Sequence, residues 1–178
     1  MPRFCRTSDL MKRTLIDMGL LNRKNQRLKN YDYSTESYYF VTICTVERKC
    51  LLSNIVGNGL DHSELRYTQF GKIVEKHLLN INVCYDSIKV DKYVIMPNHI
   101  HMIIKFGCDG EERSRPFPTL STVIGLFKSG VSREIGKSIW QKSFHDHIIR
   151  GINDYLEIQK YIENNPMKWT LDRYYILE

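Results

Sequence analysis

Two histidines separated by one residue stand in the stretch Tyr93-Val94-Ile95-Met96-Pro97-Asn98-His99-Ile100-His101-Met102-Ile103-Ile104. Apolar and β-branched runs on either side of the Pro-Asn break predict two strands joined by a tight connection. Residues i and i+2 of a strand share a face. His99 and His101 therefore project side by side, while Ile100, Met102 and Ile104 point the other way. Two neutral imidazoles so presented make half of a divalent metal site, although the same spacing also occurs on strands with no ligand role. Zinc is the first metal to weigh, but no CxxC or HExxH pattern accompanies the pair. An amide or carboxylate oxygen completing the pair suits a harder, exchangeable cation, Mg²⁺ or Mn²⁺.

The neighbouring segments must place that strand. Tyr38 to Val46, rich in aromatic and β-branched residues, predicts a buried strand. Gly57-Asn58-Gly59 marks a turn, and Leu51-Leu52 with Leu65-Arg66-Tyr67 flank it as a small hairpin. Thr68 is a suitable N-cap for a helix over 69–83, on which Ile73, Val74, His77, Leu78 and Ile81 keep helical spacing. His77 on that stripe reads as a packed side chain. Asp86 to Ile95 predicts a second strand, with Ile88, Val90 and Lys92 alternating against Lys89, Asp91 and Tyr93. Residues 99–106 form the third. Gly107 to Pro118 has loop composition. Thr119 or Ser121 caps a second helix carrying Leu120, Ile124, Phe127, Val131 and Ile135, with Lys128, Arg133 and Lys137 toward its exposed side. Trp140 to Arg150 predicts a fourth strand, on which His145 and His147 share a face. A last helix over Asp154 to Asn165 stops at Pro166. The order strand, helix, strand, strand, helix, strand, plus a C-terminal helix, is the ferredoxin-like βαββαβ pattern. It predicts an α+β fold, an antiparallel four-stranded sheet with helices on one face.

The chain has 178 residues, and its apolar fraction of 42% suits one domain with a full core. No apolar run approaches the roughly 20 residues that cross a bilayer. Residues 1–30 lack the apolar block of a signal peptide. Five cysteines without paired spacing read as free thiols of a reducing cytoplasm. Net charge is +6, which favours a polyanionic partner. The excess gathers in 1–30, a basic N-terminal arm in front of a single domain over 31–178. Residues 10–21 could form an amphipathic helix. Arg23, Lys24, Arg27 and Lys29 follow, in a stretch that reads equally as a phosphate-binding arm or a solvated tail.

Four motifs occur together in order: Tyr38-Tyr39-Phe40-Val41-Thr42; Met96-Pro97-Asn98-His99-Ile100-His101; Trp140 to Arg150; and Asp154-Tyr155 with Tyr161-Ile162-Glu163-Asn164-Asn165-Pro166. Over about Tyr31 to Trp169 the chain resembles the IS200-type tyrosine transposases of the HUH class, in the branch associated with repetitive extragenic palindromes (REPs). The resemblance implies the fold already read. It also implies a metal-dependent transposase that cuts and rejoins hairpin-bearing single-stranded DNA through a covalent 5′-phosphotyrosine. Mg²⁺ or Mn²⁺ at His99 and His101 would polarise the scissile phosphate. The family's position for the nucleophile falls on Tyr161, and its third ligand, a Gln in relatives, falls on Asn165. Tyr155 with Gln159 has the same i,i+4 spacing and is the alternative nucleophile; its place in an apolar stripe with Ile158 and Ile162 reads as packing.

Lys105, Lys128, Arg133 and Arg150 are candidate phosphate contacts beside the arm residues. Trp169 could stack on a base or dock the chain end, and Lys168 stands next to it. Asn98 reads as turn chemistry with contacts to a histidine. His145 and His147 read as register-holding side chains. The resemblance further implies a homodimer and a cytoplasmic, nucleoid-associated location. A domesticated hairpin-binding protein without cleavage is the alternative. An RNA-binding module is disfavoured, because residues 99–106 offer only Phe106 as a stacking ring.

Overall fold

The computed structural model describes residues 37–56, 64–107 and 118–175. The arm 1–30, with Arg23, Lys24, Arg27 and Lys29, lies outside them, as do Cys5, Cys108 and residues 108–117 of the expected loop. The described elements are β1 (Ser37–Cys44), β2 (Ser53–Val56), β3 (Glu64–Tyr67), α1 (Gln69–Cys84), β4 (Ile88–Ile95), β5 (His99–Phe106), α2 (Leu120–Ile135), β6 (His145–Ile149) and α3 (Ile152–Asn164). The main sheet runs β4-β5-β1-β6, and every neighbouring pair is antiparallel. This is the expected α+β, ferredoxin-like arrangement, with β5 inside the sheet and β6 at an edge. Strands β2 and β3 form a separate hairpin.

The two faces of the sheet carry different layers. Ile100, Met102, Ile104 and Phe106 of β5 join Tyr39, Val41 and Ile43 of β1 under α1 and α2, in the main core. Each such fully buried side chain contributes about 1.5–3 kcal/mol of apolar transfer free energy. Ile103, with Tyr38 and Phe40, turns to the opposite face and packs against α3 through Tyr155, Ile158 and Ile162. His99 and His101 share that second face.

Local chemistry starts the helices as the sequence predicts. Thr68 Oγ1 accepts from Gly71 N–H at 3.1 Å, and Thr119 Oγ1 from Thr122 N–H at 3.3 Å. Gly136 ends α2 in the left-handed region at φ 82°, a conformation that costs glycine little. His77 sits between α1 and α2 as a packed side chain, its Nε2 2.8 Å from Glu134.

Two expectations are corrected. The alternation predicted for β4 breaks at Asp91. The register steps from Val90↔Ile104 to Lys92↔Ile103, so Asp91 is an extra residue in a β-bulge. Beyond the bulge the faces exchange. Lys92 turns toward α3, its Nζ 3.8 Å from Glu163, and Tyr93 turns to the helical layer and donates to Glu75 Oε1 at 2.9 Å. The fourth strand is also shorter than Trp140 to Arg150. It is His145–Ile149, and Trp140 makes an isolated bridge to Thr45. Around Gln141, backbone hydrogen bonding serves other purposes, three carbonyls of this segment being taken by a lysine described below.

Helix α1 enters very close to the β1–β2 connection. A Cβ added at Gly71 would lie 2.0 Å from the Leu52 carbonyl oxygen, which also receives Thr68 N–H at 3.0 Å. Backbone on both sides cannot retreat. Gly71→Ala should therefore destabilise the protein by about 3 kcal/mol, the overpacking range, although Gly→Ala inside a helix ordinarily gains about 1 kcal/mol. Urea midpoints of the two proteins check the sign.

Candidate functional site

Strand β5 holds both histidines fully buried. Their ring centroids are 4.4 Å apart. Thr42, directly opposite His101 on β1, shares a 2.8 Å hydrogen bond with His101 Nδ1. His99 Nδ1 lies 2.8 Å from Asn98 Oδ1. Phe40 stacks on His101 at 5.2 Å, and Tyr174 leans on His99 at 4.6 Å. His99 Nε2 has no hydrogen-bond partner among the described residues. Burial is the main reason both imidazoles resist protonation. His99 is lowered to about 4, against a smaller raising effect of Asp172, and His101 is lowered well below its ordinary value, with His99 adding to the effect. Both rings are neutral at pH 7, the form that binds metals.

Helix α3 and the turn after it bring three oxygen-bearing side chains to the pair. The Tyr161 hydroxyl is 3.3 Å from His101 Nε2 and donates to Asp172 Oδ2 at 3.3 Å. Asn165 Nδ2 donates to the same carboxylate oxygen at 3.0 Å, which leaves Asn165 Oδ1 buried without a partner among the described residues. One donor atom from each of His99, His101 and Asp172 lies within 4.8 Å of the others. Burial, then the Asp172 charge, pushes the Tyr161 phenol up to about 12. Two neutral imidazoles beside an amide oxygen and a carboxylate fit a divalent cation, and the stranded Nε2 and Oδ1 atoms are the donors such an ion would satisfy.

Asp172 is the residue that the sequence reading lacked. It follows the 3₁₀ turn Trp169–Leu171, which folds the chain back past Pro166. Its one sequence mark is being the sole acidic residue between Glu163 and the terminal Glu178.

Tyr155 stands elsewhere. Its ring packs edge-on to Tyr38 at 5.6 Å, its hydroxyl donates to Asp91, and that bond first, then burial, raises it to about 12. The structure does not bring it to the histidines. His145 and His147 are exposed at the sheet edge, and His147 Nε2 is 2.9 Å from Asp154. Arg150 is exposed after β6, and its N–H also binds Asp154, at 2.8 Å. Lys105 sits over the Tyr38 ring at 6.0 Å, on the face of the histidines. Arg133 is exposed on α2, across the sheet from them.

Lys128 corrects an expectation. Its ammonium is drawn inward and donates to the carbonyls of Gln141 (2.5 Å), Lys142 (3.2 Å) and Ser143 (3.4 Å), so it is a structural tie rather than an exposed phosphate contact. A cleft of about 430 Å³ opens beside the phenol instead. Lys160, Lys168 and Arg173 line it with Tyr161, Asn165 and Asp172. Trp169 docks, half-buried, 6.0 Å from the His99 ring. Among the described residues Cys44, Cys50 and Cys84 form no disulfide, and no helix is long and apolar enough to cross a membrane.

No protein-family model matches the chain. An uncharacterized protein of Haemophilus influenzae is 32% identical over 182 residues, spanning 92% of this chain and 98% of that one. A solved structure of a REP-associated tyrosine transposase bound to a REP hairpin matches with a TM-score of 0.58, at 21% identity, over 83% of this chain and 77% of the other. That likeness establishes the shared fold.

The depressed imidazoles carry a pH signature. Below the ordinary value of 6.5 the unfolded chain binds protons that the folded rings refuse, so stability is complete above about pH 6.5 and falls as pH drops toward about 4. Urea midpoints with chelator present should fall from pH 7.5 to pH 5. The fall should be shallower in His99→Gln/His101→Gln, whose side chains cannot titrate.

Proposed function

We propose that this chain, which belongs to one family with the Haemophilus influenzae protein, is a metal-dependent endonuclease and strand transferase acting on hairpin-bearing single-stranded DNA. One observation carries the reading. Within one chain, the Tyr161 hydroxyl lies 3.3 Å from His101 Nε2, beside a buried His99 Nε2 with no partner among the described residues. The four motifs that resemble HUH-class transposases and the fold shared with a transposase solved on a REP hairpin support it.

His99, His101 and Asn165 Oδ1 would hold the divalent cation. Imidazole ligands favour Mn²⁺ over the more oxygen-demanding Mg²⁺. When bound, the cation supplies Lewis-acid charge to the scissile phosphate. Tyr161 is the nucleophile. Its oxygen forms a bond to phosphorus while the bond from phosphorus to the 3′ oxygen breaks. The DNA stays attached through its 5′ phosphate, and a 3′ hydroxyl leaves after taking a proton from water. A phenol held near 12 is protonated at neutral pH and needs an acceptor. Asp172, which already accepts its hydrogen bond, is placed to receive the proton. One phosphodiester is exchanged for another, so reversal rejoins strands without a nucleoside triphosphate. Because pair and phenol come from the same chain, this step asks for no second copy. The cleft lined by Lys160, Lys168 and Arg173 runs up to the phenol and suits the phosphate backbone of an unpaired strand.

Incubation with hairpin-bearing single-stranded DNA and Mn²⁺ should give a covalent protein–DNA adduct on a denaturing gel. Tyr161→Phe should abolish it and Tyr155→Phe should keep it; full adduct formation by Tyr161→Phe refutes the assignment. Lys160→Ala and Lys168→Ala should each weaken strand binding across sequences and lower the slope of log affinity against log salt by about one. Fluorescence titrations at several salt concentrations read this.

A further inference from the structure

Asn98 occupies a corner that is unusually well pinned. Its backbone carbonyl accepts both Thr45 N–H at 2.9 Å and Thr45 Oγ1–H at 3.0 Å, and the carbonyl of Pro97 accepts Leu52 N–H at 2.9 Å. The side chain is fully buried. Its Nδ2 donates to the Tyr174 carbonyl at 2.8 Å. A carbonyl can only accept, so this bond fixes which end of the amide is nitrogen. The other end, Oδ1, faces His99 Nδ1 at 2.8 Å, and an amide oxygen can also only accept. The proton of a neutral His99 must therefore sit on Nδ1, and the lone pair must sit on the stranded Nε2.

His101 has no such lock. Its Nδ1 meets Thr42 Oγ1, and its Nε2 meets the Tyr161 hydroxyl. Hydroxyls either donate or accept, so His101 is satisfied as the Nε2–H form while the Tyr161 proton goes to Asp172, and as the Nδ1–H form when that proton turns to Nε2 instead. The two ligand candidates are thus held differently, one fixed and one adaptable.

We infer that Asn98 is a positioning residue that locks His99 in its Nδ1–H tautomer, so that the Nε2 lone pair faces the site before any cation arrives. The tautomer follows from the hydrogen-bond chain alone; its use for the cation rests on the nuclease reading above. A partner of this kind on a ligating histidine typically changes metal affinity 10–100-fold.

Long-range proton–nitrogen spectra of metal-free protein carrying ¹⁵N-histidine, at pH 7.5, distinguish the two tautomers directly. Wild-type His99 should show only the Nδ1–H form. Asn98→Ala should admit the Nε2–H form and weaken Mn²⁺ binding at least tenfold by calorimetry. Asn98→Asp, which retains an acceptor, should keep the Nδ1–H form. An Nε2–H signal from wild-type His99 overturns the proposal even if Asn98→Ala fails to fold. So does Asn98→Ala with its tautomer or its Mn²⁺ affinity unchanged. Absence of a DNA adduct together with an intact Nδ1–H signal overturns the nuclease reading alone.

Discussion

Keeping two imidazoles uncharged in the interior of the sheet is the constraint on which the site depends. A buried imidazolium would be costly, so the rings stay neutral, and a neutral ring has one nitrogen with a free pair and one with a proton. Each Nδ1 is engaged by a fixed neighbour, Asn98 or Thr42. Each Nε2 is thereby turned toward the turn that follows α3. The site is assembled by what the rings cannot do, which is to reach water.

The sheet separates two tasks. The layer under α1 and α2 is apolar and holds the fold together. The opposite layer mixes Ile103, Ile149 and Ile162 with the histidines, Tyr161 and Asn165. One strand serves both, because alternate residues of β5 belong to alternate layers. A change at Ile100 or Met102 acts on packing, while one a single residue away acts on chemistry.

Much of this was legible in the residues. Strand β5 has the predicted limits 99–106, and α1 runs one residue beyond the predicted 69–83. The strand is bounded by the Pro-Asn break and Gly107, and the helix carries apolar residues at regular helical spacing. Tyr161 could not be told from Tyr155 by spacing, and the resemblance to a family chose it. What sets them apart in the fold is sheet position: Tyr155 lies over Tyr38 and Asp91, Tyr161 over Phe40 and His101. The misses are tertiary. Nothing local in Asp91-Lys92-Tyr93 marks an inserted residue. Lys128 has a stem long enough to reach carbonyls at 141–143, and helical spacing does not show where its end goes. Asp172 arrives by a chain reversal after the last helix, and hydrophobic pattern says nothing about that.

The bulge at Asp91 has an evolutionary corollary. A strand of period two tolerates substitutions independently on either side, but its length is another matter. Deleting Asp91, however, would leave a regular ladder, Val90↔Ile104 followed by Lys92↔Ile103, and would keep Lys92, Tyr93, Val94 and Ile95 in their present layers. A codon lost at this one position spares the layering, and what it removes is the acceptor of the Tyr155 hydroxyl.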